Sequence, residues 1–163
     1  WKQGAADGTK EDLANEYYDT FKQLISDVLT VLDSPDLPVF VLSYLNDEEL
    51  LKVVLSTMSD EDQLQAKKSA GKRPLKDEDL LKAVLAYIYA LPRAKKPKSK
   101  RPYIATVIMA QNRAGRELPN VTTVHPGELP RIGGGNNHLN AEGQIKLGKI
   151  TASAVELFYK AKK

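Results

Sequence analysis

The sequence predicts an α/β fold built around a short parallel sheet. Three observations predict it. Stretches with apolar residues at helical spacing alternate with two short, continuous apolar runs, Val39–Leu42 and Val121–Val124. Each run follows a helix and a turn, which is the signature of a strand buried on both faces of a parallel sheet. The composition is that of a soluble globular chain, 42% hydrophobic and 28% charged over 163 residues. Such a length makes one ordinary domain that buries roughly two-thirds of its unfolded surface.

Residues 1–8, WKQGAADG, contain two glycines and read as a loop. Tyr17, Phe21, Leu24, Ile25, Val28, Leu29 and Leu32 then recur at helical spacing, predicting a helix over about 10–32. Glu11 and Asp12 favour its amino end, and Pro35 forbids its continuation. After the first strand, Asp47-Glu48-Glu49-Leu50-Leu51-Lys52-Val53-Val54-Leu55 is echoed 30 residues later by Asp77-Glu78-Asp79-Leu80-Leu81-Lys82-Ala83-Val84-Leu85. Both copies open on acids and continue with an apolar helical face, predicting two similar helices joined by a basic loop over Lys67 to Pro74. Duplication and convergence on a common helix pattern explain the echo equally well. Two copies are too few for a solenoid.

Arg93 to Pro102 holds six basic residues and two prolines and reads as loop. A helix over about 104–118 leads through Pro119-Asn120 to the second strand. A loop containing Pro126, Pro130 and Gly133 to Gly135 reaches His138. A last helix over about 141–160 is expected to turn Ile145, Leu147, Ile150, Ala154, Leu157 and Phe158 inward.

The charge balance excludes little and the residue inventory excludes more. Twenty-four lysines and arginines against 21 acids leave +3, too small a surplus to demand a polyanionic partner. Neither basic run, Lys67–Arg73 nor Arg93–Arg101, is interrupted by an aromatic residue, so a base-stacking platform is not indicated and nucleic acid is not an expected partner. Without cysteine there is no disulfide framework, thiolate metal site or cysteine nucleophile. Two histidines do not suggest a multi-histidine metal site, and no metal or cofactor is implied. No apolar run approaches the roughly 18 residues of a membrane span. The chain opens on Trp1 and shows no leader segment, so it reads as a fragment or a processed product.

Two segments have the makings of chemistry. In Trp1-Lys2-Gln3-Gly4-Ala5-Ala6-Asp7, a glycine permits close backbone approach to a ligand, and its N–H and the Gln3 amide are donors of the kind that hold an oxyanion. An ordinary strand-to-helix turn anchored by Trp1 accounts for the same residues. His138 stands in the loop Asn136-Asn137-His138-Leu139-Asn140 just before a helix, a setting that suits a general base. A solvated loop histidine fits there too. His125, beside Pro126, reads as structural. Ser43 is the one serine at the height of a strand end, but it lacks the glycine neighbours of a strained nucleophile turn.

Taken together, these blocks resemble the sialate O-acetylesterase-like carbohydrate esterases, a branch of the SGNH (GDSL-like) hydrolases. WKQGAADG resembles the family's W-x-Q-G-E-x-D block, and Asp36-Leu37-Pro38-Val39-Phe40-Val41 its next strand. Ala110-Gln111-Asn112-Arg113 and Leu118-Pro119-Asn120-Val121 resemble its A-Q-x-x helix and the L-P-N-V that follows. His138-Leu139-Asn140 with Gly143-Gln144 and Lys146-Leu147-Gly148 resembles its catalytic-histidine block. The likeness covers about residues 1–44 and 103–160. It implies a three-layer α/β/α flavodoxin-like sheet, amino-terminally incomplete, with 45–102 as a helical insertion beside the carboxyl edge of the strands. It also implies a serine esterase acting on O-acetylated sugars such as sialic acid or acetylated polysaccharide. His138 would be the base, with Gln3, Gly4 and Asn137 around the oxyanion and substrate. The family's serine lies in a block ahead of W-x-Q-G, so the nucleophile is expected outside this chain, on a missing amino-terminal segment or a second chain. Export from a bacterial cell is usual in the family. Two positions depart from it: Ala5 stands where the family has Glu, and Gly135 where it usually has the Asp three residues before the histidine. Asn136 and Asn137 are uncharged; Glu128 or Asp7 are the acids considered instead. A non-catalytic carbohydrate-binding or interaction module is the alternative these two departures favour.

Overall fold

The computed structural model describes residues 4–69, 76–91, 99–133 and 138–161. Its elements are α1 (Glu11–Val31), β1 (Val39–Leu42), α2 (Asp47–Ser56), α3 (Asp60–Ser69), α4 (Asp77–Ala90), α5 (Ile104–Glu117), β2 (Val121–Val124) and α6 (Ala141–Ala161). The fold is mixed α/β and mostly helical. β1 and β2 pair in parallel, Val39 beside Val121 through Leu42 beside Val124, and among the described residues they form a two-stranded sheet. The α/β class and both strands match the sequence reading; a broad multi-stranded sheet is not what these residues build.

Alternation along β1 decides what each face meets. Val41 is fully buried with Val121 against Tyr17, Phe21 and Ile25 of α1 and Val107, Ala110 and Ala114 of α5. Phe40 points the other way, and its ring meets Phe158 of α6 edge-on at 5.9 Å. Helices therefore lie on both faces of the pair. The apolar stripe of α1 is wider than its cover: Leu24, Val28 and Leu32 face solvent. So do Ile145 and Leu157 of α6, contrary to the expectation that both turn inward; the half-buried positions, Leu147, Ile150, Ala154 and Phe158 among them, form a narrower stripe.

A second core lies between α5 and the segment 45–102. Leu50, Leu51 and Val54 of α2, Ala66 of α3, and Leu81, Val84, Leu85 and Ile88 of α4 close over Ala105, Ile108 and Met109 of α5. The echoed positions bury alike, Leu51 with Leu81 and Val54 with Val84. α5 is thus the shared wall of two cores, which is why its first half, Ile104–Ala110, is apolar at every position but Thr106.

Helix ends are set by local hydrogen bonding. α1 stops in a Schellman arrangement: the Ser34 and Asp33 N–H groups donate to the Leu29 and Thr30 carbonyls at 3.0 and 3.1 Å, with Asp33 at φ 46°. It ends before Pro35 is reached. α2 carries a capping box, the Asn46 side chain accepting from the Glu49 N–H and the Glu49 carboxylate from the Asn46 N–H. α3 is a helix the sequence reading does not name, and it takes up the start of the loop expected over Lys67 to Pro74. Ser59 starts it, its hydroxyl accepting from the Asp62 N–H, and Lys67 and Lys68 form its last turn. Asp7–Thr9 form a single 3₁₀ turn inside the expected amino-terminal loop. Gly71 to Pro74 and Arg93 to Lys98 lie outside the described residues. No described helix is long and apolar enough to cross a membrane.

One cation ties the inserted helices to α5. Arg116 donates to Asp47 at 2.7 Å and lies 2.8 Å from Glu78, bridging the first turns of α2 and α4. Asn112, buried, donates to Asp47 and to the Leu45 carbonyl at 2.8 and 3.0 Å. Arg116→Ala is expected to lower stability by about 1–2 kcal/mol, more than a solvated pair, because Asp47 and Glu78 are mostly covered. Chemical denaturation checks this. Glu78 is held below the usual glutamate range by its hydrogen bond to Lys82 and by the Arg116 charge, against the opposing effect of its own burial. Its contribution is therefore complete above the ordinary glutamate value and disappears as the pH falls through the lowered folded value.

Candidate functional site

The carboxyl end of β1 opens onto a cleft of 450 Å³. In open α/β sheets this end is where ligands bind. Leu42 closes β1, Tyr44 follows it, and both line the cleft with Ile104, Val107, Ile108 and Gln111 of α5. From the amino end of the chain come Gly4 and Ala5, and from the carboxyl side Arg131 and His138. Arg101 completes the described lining. The two segments singled out from sequence, separated by more than a hundred residues, thus face one cavity. Gln3 and Asn137, the other expected site residues, lie outside the described residues, as do Trp1, Gly135 and Asn136.

Gly4 is held against α5. The Gly8 N–H donates to its carbonyl at 3.1 Å, and the Tyr103 N–H donates to the Gly8 carbonyl at 3.0 Å, fastening the turn to the start of α5. Its φ is +112°, a conformation other residues rarely adopt. A Cβ there would stand 2.5 Å from Val107 Cγ1. The missing side chain admits the close approach of helix α5, and Gly4 also lines the cleft.

His138 is exposed and sits on a short antiparallel bridge, Arg131 opposite Leu139. The Ile132 N–H donates to the His138 carbonyl at 2.9 Å, and the Asn140 N–H to the Pro130 carbonyl at 3.2 Å. Asn140 then caps α6, its side-chain oxygen accepting from the Gly143 N–H at 2.8 Å. The His138 carbonyl and the residues that follow it are thus fastened to the 130–132 segment and to α6. A methyl group on Gly143 would meet the Pro130 carbonyl oxygen well inside van der Waals contact. Gly143→Ala is expected to cost about 1–3 kcal/mol and to displace the bridge that carries His138. A lowered denaturation midpoint together with a shifted His138 imidazole resonance is the outcome to look for.

Sequence reasoning missed four cleft residues. Gln111 is buried, donates to the Tyr17 hydroxyl at 3.2 Å, and stands on an otherwise apolar helix face; a polar residue at such a position was the available signal. Tyr44 follows directly on the strand, the place α/β folds reserve for ligand contacts. Arg101 lay hidden in a basic run. Arg131 is brought in by the bridge to Leu139, which no local pattern announces. Its guanidinium lies 5.6 Å from the centre of the Tyr44 ring. Tyr44 and Arg131 also border a second cavity of 870 Å³, walled by Glu49, Lys52 and Val53 of α2 and by Glu128.

Neither acid considered for the triad, Asp7 or Glu128, lines the His138 cleft. Ser43 is fully buried and donates to the Leu45 carbonyl at 3.2 Å, which removes it as a nucleophile. His125 places Nδ1 3.2 Å from the Ser43 carbonyl, tying the end of β2 to the end of β1. No protein-family model, curated protein or solved structure matches this chain.

Proposed function

We propose that the chain is part of an SGNH-type carbohydrate esterase that removes O-acetyl groups from sugars. The supporting observation is that Gly4 and His138 line one cleft at the carboxyl end of β1. On this reading the attacking serine belongs to the block that the resemblance sets ahead of Trp1. It adds to the acetyl carbonyl while His138 takes its proton. Gly4, with Gln3 as the resemblance implies, supplies donors for the developing oxyanion. His138 then returns the proton to the sugar oxygen as the C–O bond breaks, leaving an acetyl-enzyme. Water, deprotonated by the same imidazole, releases acetate. The three-layer sheet of the family belongs to the same proposal, with β1 and β2 as two of its strands and 45–102 as an insertion whose helix α2 walls the neighbouring cavity.

Ala5 and Gly135 favour a second reading, a carbohydrate-binding module without turnover. An acetate-release assay on the full-length protein with acetylated oligosaccharides separates the two. Turnover that depends on His138 supports the esterase, and binding without acetate release supports the module.

A further inference from the structure

The three most exposed large apolar side chains among the described residues, Val31 (82%), Leu157 (66%) and Ile145 (61%), stand on α1 and α6. Both helices are 21 residues long. On α1, the exposed Leu24, Val28 and Val31 run beside Glu16, Asp19 and Asp27, and an open groove of 570 Å³ is lined by those acids and Leu24. No described cation forms an ion pair with these three acids. On α6, the exposed Ile145 and Leu157 are interspersed with the exposed Lys146, Lys149 and Lys160. Glu16 and Asp27 are 11 residues apart, and so are Lys149 and Lys160. That spacing is about three helical turns, so each pair shares one face of its helix. We infer that the acidic, apolar face of α1 takes the basic, apolar face of α6 from a second copy of this chain.

Two features commit the face to a second copy. β1 stands between the helices: Val41 packs toward α1 and Phe40 meets Phe158 of α6, so a chain cannot lay its own α6 along its own α1. Gly148 is the other. Glycine inside a helix is unfavourable relative to alanine, yet Gly148 is exposed and a Cβ there would meet nothing within 4 Å. The fold therefore does not require it. With the exposed Ala152 one turn on, it leaves a low strip beside Ile145 and Lys149 on which a neighbouring helix can come close. The charges agree with this pairing. Glu156, the acid on that stretch of α6, is bound to Lys160 at 2.6 Å, and Lys149 has no ion-pair partner among the described residues. Apolar burial drives such an association, and opposed charges set its register.

The test is the apparent mass of the full-length protein in analytical ultracentrifugation as its concentration is raised. Mass is expected to rise with concentration, and less steeply at high salt than at low salt. Two charge-reversed variants, Glu16→Lys with Asp27→Lys and Lys149→Glu with Lys160→Glu, should each weaken association at least about tenfold. All four side chains are exposed, so both variants keep the fold. An equimolar mixture of the two should recover association, because each then offers the other a face of opposite charge. Gly148→Ala should raise the denaturation midpoint of dilute protein and weaken association, two effects of opposite sign that a purely structural glycine would not produce. A monomer at every concentration overturns the inference and leaves the α1 face to a different protein. So does association that both reversed variants retain, that the mixture fails to recover, or that Gly148→Ala strengthens.

Discussion

Replacing His138 with alanine is expected to lower acetyl-ester turnover by the full-length protein about 10²- to 10⁴-fold, with a small effect on KM. Removing a positioned general base costs a rate factor of that order. KM should hold because the side chain lies on an exposed, bridged loop whose backbone contacts do not involve the imidazole. A folded, binding-competent and inactive variant is the signature of the role. No carboxylate lines the cleft beside His138 among the described residues. The family's acid position before the histidine is occupied here by Gly135, and in one serine protease neutralising the triad acid costs about 10⁴-fold in turnover. The wild-type rate is therefore expected to be modest, and supplying an acid at the family position by Gly135→Asp should raise it. Equal turnover in wild type and His138→Ala would take the imidazole out of the chemistry.

The largest expected loss of stability follows from Leu81→Ala. Leu81 has no exposed surface and lies in the core that α2, α3 and α4 share with α5. Truncation removes transfer free energy and leaves a cavity, together about 2–5 kcal/mol. The effect should be global. Because α5 contributes Ile108 and Met109 to one core and Val107, Ala110 and Ala114 to the other, loosening one side loosens the sheet side too. A single denaturation transition with a lower midpoint and an unchanged slope is expected. Leu64→Ala, on the exposed side of α3, should change stability by less than about 0.5 kcal/mol. Two separate transitions would mean that the inserted helices and the sheet fold independently.

This shared wall also bears on how 45–102 should be probed. Deleting it would strip the cover from Ala105, Ile108 and Met109 as well as removing the α2 wall of the second cavity. Point substitutions at Glu49, Lys52 or Val53 alter that cavity without uncovering α5.

The elements with the clearest patterns were legible in the sequence to within a residue or so. Val39–Leu42 and Val121–Val124 stand out as apolar runs bounded by turn residues, and β1 and β2 occupy those spans. α3 was not legible because it contributes little to a core: Leu64 is exposed and Ala66 alone is fully buried, so no apolar stripe forms. Its signal was the serine-to-aspartate spacing of Ser59 and Asp62, a capping pattern independent of hydrophobicity. The outward turn of Ile145 and Leu157 was illegible for a different reason. Periodicity reports which residues share a helix face, not how wide a neighbour that face will meet. At the cleft, Gly4 and His138 could be singled out because glycine- and asparagine-rich segments mark special backbone. Arg131 could not, since only the pairing of 131 with 139 brings it to the cavity.

The account depends on the two ends of the chain serving one ligand. Amide chemical-shift mapping of the full-length protein, titrated with an O-acetylated oligosaccharide, tests this most directly. Gly4, Tyr44, Gln111 and His138 should shift together along a single saturation curve. Shifts confined to another face, such as the groove between α1 and α4 around Tyr18 and Leu85, with Gly4 and His138 unmoved, would contradict it.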